Sequence, residues 1–207
     1  MDLKETVRLQ AKQLTCIRDD RVLFAGLSFE LNAGHVLLLE GKNGSGKTSL
    51  LRILCGFREP DEGELLWGGD SINDGQYHAD MAYVGHLDGV KKELTVFENL
   101  KVSLALGVPG RYSILDALTR VNLANYDDVL VQALSAGQKR RLSLARLLIT
   151  DNKLWILDEP FTSLDKQGIA LIETLMIEHC ATGGMIVLTS HHDIELHDVV
   201  VQRINLS

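Results

Sequence analysis

The chain has 207 residues, 45% hydrophobic and 24% charged, with a formal net charge of −7; this is the make-up of one packed domain, and its acidic balance argues against a nucleic-acid partner, whose phosphates call for a basic surface. Cys16, Cys55 and Cys180 lie far apart, with no C-x-x-C pair and no Cys/His cluster, which argues against a zinc module and a disulfide framework. The N-terminus, MDLKETVRLQ, lacks the build of a signal peptide and no apolar run approaches the ~18 residues of a membrane span, so a soluble or peripheral chain is expected.

In chain order, residues 7–16 and 22–31 read as strands, followed by the apolar run HVLLLE at 35–40. A helix is predicted over 47–55, closed by Gly56, with a turn in REPDEGE at 58–64. GELLWGG and MAYVGH read as strands, and the pattern turns helical over 95–123. Ser135 opens a further helix to about 149; then come a strand at 153–158, a helix at 166–180, a strand at 185–189 and a last strand in VVVQRINL. Strands alternating with helices predict an α/β fold with a mixed, mainly parallel sheet and an N-terminal antiparallel β portion. The helical stretch 87–134, or 87–150 with the helix that follows, is expected to form a subdomain inserted in a single domain spanning 1–207.

Two motifs carry chemistry. GKNGSGKT, Gly41 to Thr48, fits G-x-x-x-x-G-K-[ST] between a strand and a helix, the setting that a phosphate loop needs. Glycines let the backbone N–H groups turn inward on an anion, and the helix N-terminus adds a favourable dipole. Gly41, Lys42, Asn43, Gly44, Ser45, Gly46, Lys47, Thr48 and Ser49 are therefore the nucleotide-binding candidates, with Lys47 on the β- and γ-phosphates and Thr48 in a Mg²⁺ shell. LWILDEP, 154–160, ends a buried strand on two acids. Alternation along a strand sends them to different places: Asp158 suits the metal, and Glu159 suits a general base on the attacking water. A second apolar strand, MIVLT, precedes Ser190, His191 and His192, and either histidine could reach the same phosphates. A His192/His197 metal pair has poor spacing and no third ligand.

LSAGQKRRLSLARLL, 134–148, resembles the signature of the ABC ATPases, and the order of phosphate loop, helical stretch, signature, LWILDEP, SLD and LTSH extends the likeness over nearly the whole chain. The resemblance implies a P-loop NTPase core and ATP, with Mg²⁺, sandwiched between two such domains set head to tail. Ser135, Ala136, Gly137 and Gln138 would contact the partner domain's ATP, and Ser163, Leu164 and Asp165 would form a D-loop between the two domains. It favours His191 over His192 as the switch histidine, and gives Arg140 and Arg141 structural or subunit-facing roles. Two departures narrow the likeness. His86 stands where the family usually has glutamine, a candidate for the metal site with Thr48 and Asp158 and for the membrane-subunit contact, and no aromatic precedes Phe24 to stack on adenine, leaving the Arg18 guanidinium as a substitute. With these, the chain resembles the ATP-binding subunits of bacterial cytochrome c maturation haem exporters. That implies a peripheral place on the cytoplasmic face of the inner membrane, beside integral membrane subunits. Substrate choice would lie in those subunits, so an exporter of another substrate would share the same features.

Overall fold

The computed structural model describes residues 8–73 and 75–206. In chain order the strands are β1 (Arg8–Arg18), β2 (Arg21–Asn32), β3 (His35–Glu40), β4 (Glu62–Trp67), β5 (Asp70–Ser71), β6 (Met81–Val84), β7 (Leu154–Asp158), β8 (Met185–Thr189) and β9 (Val200–Asn205). The helices are α1 (Lys47–Leu54), α2 (Gln76–Asp80), α3 (Val96–Leu106), α4 (Ile114–Arg120), α5 (Ala136–Ile149) and α6 (Lys166–Ala181), with a 3-10 turn at Val131–Ala133.

The antiparallel strands form a sheet of their own, ordered β2-β1-β4-β5, and the other five form a parallel sheet ordered β6-β7-β8-β3-β9. The β1–β2 hairpin turns at Asp19 and Asp20, with φ of 50° and 58°, a two-residue turn whose twist matches the strands it joins. The expected strand at residue 7 begins outside the described residues; the described strand starts at Arg8.

Alternation along the parallel strands divides the interior. Leu37, Leu39, Leu154, Ile156 and Val187 face α1 and the antiparallel sheet. Val36, Leu38, Trp155, Leu157, Ile186 and Leu188 face the helices α3 to α6. Both faces are covered, so β7 is buried at every residue, as the apolar run in the sequence requires.

The helical stretch predicted over 95–123 is two helices. Gly107, Pro109 and Gly110 break it, because proline removes a donor and glycine favours irregular backbone. Four of the helix starts are capped by their own sequence. Thr95 and Glu98 cap α3 reciprocally, Ser113 caps α4, Ser135 and Gln138 cap α5 reciprocally, and Asp165 caps α6 through the Gly168 N–H at 2.8 Å.

At the N-terminal edge of β7 the Trp155 indole stacks on the His179 imidazole of α6, with ring centroids 3.8 Å apart and planes at 8°. Burial pushes the His179 pKa down from 6.5 to about 4. Above pH 6.5 both folded and unfolded histidine are neutral, so folding is unaffected. Between pH 6.5 and 4 only the unfolded chain takes up the proton, and stability falls with pH. We expect a loss of about 2 kcal/mol between pH 7 and pH 5, at 1.4 kcal/mol per unit. Urea unfolding at the two pH values measures it, and His179→Gln should abolish this part of the slope; an unchanged slope in that variant would refute the assignment.

Candidate active site

The C-terminal edges of β3, β7 and β8, neighbours in one sheet, bring the candidate residues together, at the edge where open α/β sheets bind their ligands. The loop after β3 holds Gly41 at φ 140°, Gly44 at 81° and Gly46 at 106°. A Cβ at residue 41 would lie 2.3 Å from the Leu206 carbonyl oxygen and 2.5 Å from Ser45 Oγ, so only glycine fits there. Gly46 starts α1 with no side-chain cap and no acidic residue in the first turn. Its free N–H groups and dipole therefore face the loop without a competing anion. Ser45 Oγ is buried with no hydrogen-bond partner among the described residues. An unmet polar atom inside this loop fits a nucleotide's phosphate oxygens. Lys47 Nζ donates to the carbonyls of Gly41 at 2.5 Å and Lys42 at 3.2 Å. Thr48 is exposed on the first turn; Ser49 is buried, its hydroxyl toward the Cys16 thiol.

Asp158 ends β7 on the α1 side and is 8% exposed. Its Oδ1 accepts a 2.7 Å bond from Thr189 Oγ1 on β8, and Thr189 Oγ1 accepts one of 2.9 Å from the Glu159 N–H. Burial, helped by the Asp158 charge, pushes the Cys55 thiol and the Tyr83 phenol to about 12. Both stay neutral, so neither competes with Asp158 for a cation. Glu159 leaves the strand with φ 51°. Its separation from Asp158 thus comes from a left-handed backbone rather than from strand alternation alone. Glu159 Oε2 accepts from the His191 backbone N–H at 3.2 Å, and Oε1 lies 3.5 Å from His191 Nε2. His192 is placed elsewhere, its backbone turned by Ser190 and its ring edge-on to Phe161.

Arg140 of α5 is the largest polar side chain sealed beneath this edge, 2% exposed. It donates to the carbonyls of Gly85, Asp158, Glu159 and Pro160, at 2.8, 2.9, 2.7 and 3.0 Å. Arg146 donates to the Asp88 carbonyl. These bonds pin the chain on either side of His86, which itself is exposed. Among the described residues no three His, Cys, Asp or Glu side chains cluster as a ready cation site.

In the signature segment, Ser135 Oγ accepts from the Gln138 N–H at 3.2 Å, and Gln138 Oε1 accepts from the Ser135 N–H at 2.9 Å. Ser135 and Ala136 are exposed at the head of α5. Gly137 packs on Ser163, whose carbonyl oxygen would meet a Cβ there at 2.8 Å. The signature and the segment Ser163, Leu164, Asp165 thus touch within one chain, while Asp165 caps α6.

Beside the phosphate loop an open cavity of about 540 Å³ is lined by Arg21, Val22 and Leu23 on one side and Asn205 and Leu206 on the other, with no aromatic residue. Arg18, the platform expected from sequence, is not in this lining; it is exposed and lies 3.5 Å from Asp19. Sequence reading also missed Thr189. It sits within LTSH, but that run assigns it no role, and only the pairing of Asp158 with Thr189 across β7 and β8 places its hydroxyl between the two acids.

The family model described as ABC transporter matches residues 24–162. The cytochrome c biogenesis ATP-binding export protein CcmA of Shewanella frigidimarina is 46% identical over 203 residues, 97% of this chain and 94% of that one. The protein of the same name from Methylococcus capsulatus is 50% identical over 194 residues, 91% and 93% of the two chains. Among solved structures, a putative ABC transporter ATP-binding protein from Pyrococcus furiosus superposes with a TM-score of 0.82 at 25% identity, covering 96% of this chain and 97% of its own. The phosphate loop, the acidic strand end and the capped signature helix thus stand in the fold of known ATP-binding subunits, and the chain belongs to the ABC transporter family, among its CcmA-type ATP-binding proteins.

Proposed function

We propose that this chain is the ATP-hydrolysing subunit of an ABC transporter complex in cytochrome c biogenesis, powering haem export or the release of haem from its periplasmic chaperone. The observation that carries the hydrolytic part is the Glu159 carboxylate held against His191, one residue beyond Asp158, at the sheet edge that also bears the phosphate loop. The likeness to proteins named as cytochrome c biogenesis export ATPases supports the pathway.

In this reading Gly41 to Ser49 cradle the phosphates, and Lys47 leaves its loop carbonyls to meet the β- and γ-oxygens. Asp158 and Thr48 would hold Mg²⁺, which would neutralise phosphate charge when bound. Glu159 takes a proton from the attacking water as a bond forms to the γ-phosphorus and the β–γ bridge breaks, yielding ADP and phosphate. His191 orients Glu159 and the γ-phosphate. Ser135 to Gln138 meet the ATP of a second copy across a head-to-tail homodimer, with Ser163 to Asp165 between the sites. Residues 87–150 act as the helical subdomain that carries the signature.

The partner surface is a cleft of about 560 Å³ between β6 and α3, lined by His78, Tyr83, Ser103, Leu106, Val108 and Arg146. Leu106 in its lining is 85% exposed and Leu87, in the loop after β6, is 83% exposed, apolar area that a membrane subunit would cover. In this reading His86, in the loop pinned by Arg140 and Arg146, couples this surface to the metal. Among the described residues no helix is long and apolar enough to cross a membrane, which fits a peripheral subunit held on the cytoplasmic face of the inner membrane by its partners.

Lys47→Ala should abolish turnover, and Glu159→Gln should slow it by about 10²–10³ while retaining ATP. The second variant should therefore collect as an ATP-bound dimer in gel filtration; a monomer under saturating ATP would refute the head-to-tail arrangement. Thr189→Val keeps the shape but strips the hydroxyl from a buried carboxylate and a buried N–H. We expect it to cost about 1–3 kcal/mol in urea unfolding and to weaken Mg²⁺-dependent nucleotide binding, with Thr189→Ser restoring both.

A further inference from the structure

A cavity of about 790 Å³ lies at the opposite edge of the parallel sheet from the phosphate loop, beside Lys153 and Met185 at the starts of β7 and β8. The mechanism above uses none of its lining. Its volume is that of a small-molecule site. Trp155 and His179 form one wall, and Tyr112 stands at another with Arg120 4.7 Å and Arg111 5.6 Å from its ring centre. Leu147, Leu148 and Leu175 supply apolar surface.

Three buried polar atoms of the lining have no hydrogen-bond partner among the described residues: Trp155 Nε1, Arg120 Nε and His179 Nε2. Trp155 itself is only 5% exposed. Buried donors in native proteins nearly always find acceptors, and two of these three atoms can only donate. The charged lining is Arg111, Arg120 and Lys153 against Asp151 and Glu178, three cations to two anions on a chain whose net charge is −7. Arg120 pairs with Glu178 and Lys153 with Asp80, whereas Arg111 has no ion pair among the described residues. A spare guanidinium at Arg111, a second at Arg120, the Tyr112 ring and the leucine surface describe a complementary ligand: a flat apolar body carrying an acidic, acceptor-rich group.

We propose that this cavity is a second binding site, distinct from the nucleotide site, for an aromatic organic anion. Its rings lie along Tyr112 and the leucines of the lining, and its acidic group meets the exposed guanidinium of Arg111 and the part-exposed one of Arg120.

The probe is anilinonaphthalene sulfonate, titrated calorimetrically into the whole protein in the presence of excess ADP. One saturable site per chain is expected, undisturbed by ADP. N-phenylnaphthylamine, which has the same rings without the sulfonate, should bind about tenfold more weakly, since charge-assisted hydrogen bonds are lost. Arg111→Gln, a change at an exposed position, should weaken the sulfonate about threefold or more and leave the neutral compound unaffected; Arg120→Gln should weaken it further, with urea unfolding as the check that it folds. Displacement of the probe by ADP, equal affinity for the neutral compound, or indifference to Arg111→Gln would each overturn the proposal.

Discussion

A single buried guanidinium holds the working edge of this molecule in register. Arg140 gives its donors to four carbonyls drawn from the end of β6 and the end of β7. Burial lowers its pKa, against the opposing charges of Asp88, Asp158 and Glu159, yet a guanidinium stays protonated at any pH where the protein folds. A buried charge is costly unless its donors are met, and here they are met by the backbone of the acidic strand end and of the loop before His86, with the Asp88 carboxylate 3.5 Å away. The helix that begins with the signature thus cannot move independently of the two acids. Lysine, with its donors at one point, could not span the same four oxygens.

Around that tie the site follows from where strands stop. β3, β7 and β8 are parallel neighbours, so their C-termini deliver a glycine loop, two acids and a threonine to one edge without any long excursion of the chain. The opposite edge receives the far ends of α5 and α6, whose N-termini carry the signature and the segment Ser163 to Asp165. Each of these helices therefore connects the nucleotide edge to the cavity walled by Trp155 and His179, and they are the rigid elements through which the two ends could sense one another.

Much of this was legible in the sequence because the signals were local. The apolar runs HVLLLE, LWILD and MIVLT announced buried parallel strands, and Gly41 to Thr48 announced a glycine turn leading into a helix. What escaped depended on neighbours or on two uses of one residue. Thr189 gains its position from pairing with β7, which no pattern in its own strand declares. The 95–123 region kept its apolar spacing across Gly107, Pro109 and Gly110, and the spacing concealed the break. Ser135 and Gln138 stood out as signature residues, while the same S-x-x-Q spacing is also a capping box, and the structure has them capping α5. Arg18 was the guanidinium chosen from the sequence, but the hairpin turn at Asp19 and Asp20 leaves Arg21 beside the loop cavity instead.

The left-handed backbone at Glu159 carries a consequence beyond geometry. A non-glycine residue at φ 51° is disfavoured by about 1–2 kcal/mol relative to ordinary backbone, and the bonds from its N–H to Thr189 and from Arg140 to its carbonyl are what hold it there. Glycine would relax at this position, so local conformational preference and the proposed chemistry pull in opposite directions. A screen that selects variants by melting temperature alone would favour glycine at 159 and discard the carboxylate. In this protein, the residue proposed to act on water is one that stability by itself would not have chosen.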